Sequence, residues 1–262
     1  MPSTITKGDS YNIINTYTTN NLSGSTVNCS SNLDINKNIT NTNHLTTTGN
    51  HNITCTVKTG AGKTTTVTKN IEITYKAYTI TNLITNGSFE NGLNSWEHEN
   101  VELSTDSYSG SYSLRFNHNN GKYLSAIVYQ KPLLNAPIIS HKYYGSVMFK
   151  SSNTFGYGGN CVDARYEWWL GDETNMRLVF TQKVNKTSEW IKLSSIEQID
   201  NATYLDNNWI IRNFEVCTTE YSYSDDLILV DLTTTFGSGN EPDKEWCDKH
   251  INYFDSITTI YK

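Results

Sequence analysis

Apolar and polar residues alternate along much of this chain with the two-residue period of half-buried strands. Ile53, Cys55 and Val57 fall on one face of such a segment, and Thr54 and Thr56 on the other. Val67, Ile71, Ile73 and Tyr75 continue the pattern after the turn Gly60-Ala61-Gly62-Lys63. Further on, Val101–Ser104, Tyr112–Asn117, Leu124–Gln130, His141–Lys150, Cys161–Leu170, Met176–Thr181, Trp190–Ile199, Trp209–Val216 and Asp226–Leu232 read as strands. That many strands suits two antiparallel sheets packed face to face. No long run places apolar residues at i, i+3, i+4 and i+7, so the expected class is all-β. Glu245–Ile251 is the one short amphipathic helix expected, ahead of a final segment Ile257–Tyr261.

Composition divides this pattern in two. Through residue 78 the only aromatics are Tyr11, Tyr17, Tyr75 and Tyr78, whereas Trp, Tyr and Phe become frequent from Phe89 onward. The expected domains are residues 1–78 and 79–262. Strands with turns every 8–12 residues make the first a small sandwich. Gly60-Ala61-Gly62-Lys63-Thr64 lacks the spacing of a phosphate loop and is expected to be a hairpin turn.

Charge narrows the partners. The net charge of −6 leaves no basic patch for nucleic acid. No stretch approaches the roughly 20 apolar residues of a membrane span. The start Met1-Pro2-Ser3-Thr4 lacks the regions of a signal peptide, so secretion by the usual route is not expected. Five scattered cysteines, none in a C-x-x-C pair, argue against a zinc knuckle. They read as buried thiols, with a Cys29–Cys55 bridge the less expected alternative in a reducing cytoplasm.

Two phrases bracket the second domain. Asp231-Leu232-Thr233-Thr234-Thr235-Phe236-Gly237-Ser238-Gly239-Asn240-Glu241-Pro242 resembles the "DLTxxFGxGNEP" ending of phage tail, fibre and other virion structural proteins. Asn82-Leu83-Ile84-Thr85-Asn86-Gly87-Ser88-Phe89-Glu90-Asn91-Gly92-Leu93-Asn94-Ser95-Trp96 is similar to the "NLLxNGxFENGLxxW" opening of carbohydrate-binding-module jelly rolls. Ser107–Leu114 and His141–Ser151 are like that family's "SxSGxYSL" and "HKYYxxxxxKS" segments. The first domain looks like bacterial immunoglobulin-like domains, on Thr6-Lys7-Gly8-Asp9, Gly49–Val57 and a closing strand. The implied fold is an immunoglobulin-like sandwich followed by a jelly-roll β-sandwich.

The resemblance also implies a structural calcium near Glu90 and Asp226, with a backbone carbonyl near Gly110, since calcium prefers hard oxygen ligands. Hydrogen bonding by the same carboxylates, or their plain solvation, is the alternative. Glu90, Asp163, Glu167, Glu173, Asp225 and Asp226 sit in no recognisable glycosidase motif, and neither H-E-x-x-H nor G-x-S-x-G occurs. Sugar recognition needs flat aromatic faces and planar polar groups. Arg165, Glu167 and Trp169 share one strand face and could line a groove with Trp209 or Tyr129. A subunit interface or ordinary packing explains that strand as well. Trp96 and Trp190 match core positions of the related modules.

The expectation is a non-enzymatic virion surface protein, assembled in the host cytoplasm. It would be a capsid decoration protein with a glycan-adhesion role beside it, oligomeric on the virion, its partners other virion proteins and host surface glycans. The alternative is a tail or baseplate appendage that binds host surface carbohydrate. The lack of coiled coil or fibre repeats in the chain favours decoration.

Overall fold

A computed structural model describes residues 3–13, 24–35, 39–117, 127–129, 138–151, 164–170, 177–184, 189–199 and 221–262. The chain is all-β, and its contacts divide it into two compact units: Met1–Ala77 with Tyr261–Lys262, and Tyr78–Ile260.

In the first unit, β1 (Thr4–Thr6), β2 (Thr26–Ser31), β3 (Gly49–Lys58) and β4 (Thr64–Thr74) form a sheet ordered β1-β4-β3-β2. β1 runs parallel to β4 and the other pairs are antiparallel. The alternation in β3 is realised: Ile53 and Cys55 join Ile5, Cys29, Ile71 and Ile73 in one buried cluster. The turn between β3 and β4 closes by Gly62 N–H donating to Thr59 O (2.8 Å), with Gly62 at φ +83°. It is the expected hairpin. Among the described residues this unit is a single four-stranded sheet.

The cysteines require a correction. Cys29 and Cys55 are joined as a disulfide, not held as separate thiols. The bridge does not cross a sandwich: the two residues are register partners on neighbouring strands β2 and β3, their Cα atoms 4.0 Å apart. Register therefore brings their sulfurs together on the core face, a condition that chain spacing does not reveal.

The second unit contains β5 (Ala77–Thr81), β6 (Glu97–Glu99), β7 (Val101–Ser104), β8 (Ser113–Asn117), β9 (Ile127–Tyr129), β10 (Lys142–Ser151), β11 (Ala164–Leu170), β12 (Arg177–Val184), β13 (Ile191–Gln198), β14 (Tyr221–Asp231) and β15 (Ile257–Tyr261). The central sheet is antiparallel and ordered β13-β10-β14-β8-β7; β11–β12, β15–β5 and β6–β9 form separate pairs. The segment Trp209–Val216 lies outside the described residues.

The two faces of the central sheet differ. One buries Leu114, Phe116, Tyr143, Val147, Phe149, Leu193, Leu227 and Leu229 against Leu83, Ile84, Phe89 and Trp96. On the other, Tyr144, Ile228 and Val230 are covered by Ile80, Leu232, Phe236, Cys247, Ile251 and Ile260. The covering residues come from β5, β15 and two short helices, α1 (Leu232–Phe236) and α2 (Lys244–His250).

The opening phrase makes a tight corner. Buried Asn82 donates through Nδ2 to Leu227 O and Phe254 O, and its Oδ1 accepts from Ile84 N–H and Leu229 N–H. All four of its hydrogen-bonding positions are used, which is what a buried amide requires. Trp96 Nε1 donates to Asn86 O at 3.0 Å, and its ring lies 5.6 Å from that of Phe89. Trp96 is thus core, as expected.

The closing phrase departs from expectation, because the strand stops at Asp231 and α1 begins at Leu232. The expected strand ran through Leu232, but Asp231 caps a helix: its Oδ1 accepts from Thr234 N–H at 2.8 Å. Glu241 then ties the loop, accepting from Thr233 Oγ1 and Gly239 N–H. A local cap overrides strand propensity here.

Candidate functional site

Arg165, Glu167 and Trp169 occupy alternate positions of β11, opposite Lys183, Thr181 and Leu178 of β12, with a register irregularity between Trp168 and Trp169. Their side chains lie outside the described residues, as do Trp209 and the side chain of Tyr129. The described part of the second unit carries a different candidate, on the half of the central sheet that the C-terminal segment leaves uncovered.

That candidate is a row running across the strands. Lys150 of β10 pairs with Tyr223 of β14, Tyr223 with Arg115 of β8, and Arg115 with Glu102 of β7. Trp190, one residue before β13, extends it past Lys150. The neighbouring row, Phe149, Ser224, Leu114 and Leu103, contributes Phe149 and Leu114 to the core. Strand alternation therefore turns Lys150, Tyr223 and Arg115 to the opposite side. Trp190, expected at a core position, is instead half-buried, 6.3 Å ring to ring from Tyr223 and 6.1 Å from Tyr108. The reason is its place one residue before Ile191, which pairs with core residue Phe149.

Cations alternate with these rings. Lys150 Nζ lies 5.8 Å from the ring centres of both Trp190 and Tyr223, and the Arg115 guanidinium lies 4.3 Å from that of Tyr221. Each cation also holds a carboxylate. Lys150 Nζ donates to both oxygens of Asp106, at 2.8 and 2.7 Å, and Arg115 is paired with Glu102. Aromatic faces beside fixed donors and acceptors are the combination that binds polar, ring-shaped ligands.

A carboxylate cluster holds the loop that brings Tyr108 to this row. Buried Asp225, two residues along β14 from Tyr223, accepts through Oδ2 from the N–H groups of Tyr108 (2.9 Å) and Ser109 (3.1 Å). Asp226 accepts from Ser109 Oγ at 2.8 Å, and Glu90 Oε1 accepts from Ser111 and Tyr112 N–H. Gly110 is at φ +61°, and a Cβ there would stand 2.5 Å from Glu90 Oε1. Burial pushes the Asp225 carboxyl up to about 7, with the charge of Asp226 adding to it against three backbone N–H donors. Burial likewise raises Asp226, helped by the charges of Asp255 and Glu90.

Glu90, Gly110 and Asp226 thus converge on one loop. An oxygen-only set crowded with negative charge is chemistry that suits calcium. Among the described residues, however, no group of three or more His, Cys, Asp or Glu is placed to hold a metal. The contacts present are the hydrogen-bonding alternative, and Asp225 belongs to the cluster as much as Asp226 does. Among the same residues, no helix is long and apolar enough to cross a membrane.

No protein-family model and no curated protein matches the chain. Among solved structures it is similar to a family 16 carbohydrate-binding module, at 19% identity over 57% of this chain and 100% of that one, with a TM-score of 0.43. It is also similar to the CBM22-2 xylan-binding domain of Paenibacillus barcinonensis Xyn10C, at 14% identity over 55% of this chain and 97% of that one, TM-score 0.41. A third is the enzymatically active domain of tailspike protein 4 of bacteriophage CBA120, at 10% identity over 57% of this chain but 21% of that one, TM-score 0.43.

Proposed function

We propose that this chain is a non-enzymatic glycan-binding protein displayed on a virion. The observation that carries the binding half is the row Trp190, Lys150, Tyr223 and Arg115, all half-buried, set beyond the part of the sheet on which the C-terminal segment packs, with Tyr108 at its margin. Rings offer faces to sugar C–H groups, and the interleaved charged groups offer hydroxyls both donors and acceptors. Binding rather than catalysis fits the carboxylates, because Asp106 and Glu102 are held by cations at the edge of the row. The virion half rests on the closing phrase of the second domain, Asp231–Pro242. A sequence without coiled coil or fibre repeats favours capsid decoration over a tail appendage. Antibody labelling of many head copies on purified virions supports decoration, and a few copies at the tail tip replace it with the tail adhesin.

Tyr223→Ala and Trp190→Ala test the row. Each is expected to weaken binding on a glycan array about fivefold, since one lost aromatic contact is worth roughly 1 kcal/mol. The melting temperature should hardly change, because both side chains lie off the core face. Full retention of binding in both variants removes the row as the glycan site.

Calcium at the Glu90–Asp226 loop remains part of this reading. Asp225 binds its proton more tightly in the folded state than the ordinary value near 4 allows. Its contribution therefore falls as pH rises from about 4 through about 7 and is flat above. With chelator present, the melting temperature of the second unit should fall between pH 5 and pH 8. A bound cation offsets that negative charge, so added calcium should restore the midpoint at pH 8 and do little at pH 5. Identical curves with calcium and with EDTA at pH 8 dismiss the ion.

A further inference from the structure

We infer that Asp106 and Glu102 are specificity-determining residues that restrict the aromatic row to uncharged glycans. The inference rests on the glycan-binding reading of that row. A face with a lysine and an arginine around Tyr223 would by itself attract acidic sugars, whose carboxylates pair well with both cations. Here both cations are already taken. Lys150 Nζ donates to each oxygen of Asp106, and Arg115 is paired with Glu102, its register partner on β7. Two positive and two negative groups leave the row without net charge.

The depth of the four groups matters more than their sum. The side chains of Asp106 and Glu102 are 43% and 44% exposed, whereas those of Lys150 and Arg115 are 23% and 30% exposed. The carboxylates thus lie nearer solvent than the cations they hold. An approaching uronate meets negative charge first, and it reaches a cation only by displacing an acid that is already hydrogen-bonded. The chain's net charge of −6 adds a weak long-range repulsion. A neutral sugar meets no such barrier, since its hydroxyls can accept from the cations and donate to the carboxylates without breaking either pair. Discrimination here comes from a repulsive element built against one ligand class.

The test uses the full chain, with a neutral xylan or galactan and polygalacturonate as probes. Wild type is expected to bind the neutral polysaccharide and to leave polygalacturonate unbound. Asp106→Asn with Glu102→Gln keeps the shapes and frees both cations. This double variant should bind polygalacturonate at least tenfold more tightly than wild type, and 0.5 M NaCl should abolish the gain, because exposed charges are screened at that strength. Adding Lys150→Met should remove most of it. Circular dichroism confirms that each variant is folded, and the side chains changed lie outside the core cluster. Wild-type binding to polygalacturonate as tight as to the neutral chain overturns the inference. So does a folded double variant that gains nothing while the neutral glycan still binds, and this outcome leaves the glycan reading standing. If neither protein binds either polysaccharide, the glycan reading falls and this inference falls with it.

Discussion

Gly87→Ala is expected to destabilise the second unit by about 3 kcal/mol or more, the scale of a steric clash that the core cannot relax. A Cβ on Gly87 would stand 2.4 Å from Leu227 O, 3.2 Å from its carbonyl carbon and 3.3 Å from its Cβ. Two of those atoms are backbone, so no side-chain rotation relieves the contact. Nor can the corner pull away from β14 cheaply: Leu227 N–H donates to Gly87 O at 3.0 Å, and Asn82 Nδ2 donates to Leu227 O at 3.0 Å. Urea unfolding followed by tryptophan fluorescence gives the midpoint. Gly239→Ala is the comparison, with φ +81° but nothing within 4 Å of its Cβ position. It should cost only about 1 kcal/mol, from the left-handed backbone alone. Equal midpoints for the two variants would show that the corner of the opening phrase yields, and that close approach is not why glycine stands there.

Removing the Cys29–Cys55 bridge should have an effect of similar size on the first unit. The cysteines are separated by 26 residues, and closing a loop of that length in the unfolded chain is worth roughly 3.5 kcal/mol. The first unit depends on it more than a large domain would, because its described core is one cluster on one face of a four-stranded sheet. Cys29→Ala with Cys55→Ala, or reduction before unfolding, should lower the midpoint of the first unit and leave the second as an internal reference. Peptide mapping without reductant should find the two cysteine peptides joined. Separate peptides under oxidising conditions, with an unchanged midpoint, would return the pair to buried thiols.

The strand assignments show what a linear pattern can carry. Val101–Ser104 is found as expected, and the expected segments at Tyr112–Asn117, His141–Lys150 and Trp190–Ile199 differ from the observed strands by a residue or two at their ends. Period-two alternation is a local property, and where one face is buried it survives into the fold. The helix near Glu245 was legible for a similar reason: Asp243 caps it, accepting from Trp246 N–H at 2.8 Å. Leu232–Phe236 was not, because a threonine run carries strand propensity and only the bond from Thr234 N–H to Asp231 tips it into a helix. The expected metal residues came together as Glu90, Gly110 and Asp226 around one loop, and Asp225 joined them because β14 bulges there. Asp226, at φ 52°, is in that irregular stretch, which lets adjacent carboxylates both meet the loop.

Local pattern along the chain sufficed for the β class, the faces of most strands, the shift in composition near residue 78 and the two phrases at Asn82–Trp96 and Asp231–Pro242. Each of these depends on residues near one another along the chain. The tertiary structure alone decided which residues became neighbours across strands. Cys29 meets Cys55 because β2 and β3 pair in that register, and Lys150, Tyr223, Arg115 and Glu102 make one row because β14 enters its own sheet between β10 and β8 in a particular register. A shift of one residue in that pairing would turn Tyr223 into the core and Ser224 out to the surface. Register is set by the summed burial of whole faces and by the bulge at Asp226, which no short window of sequence contains.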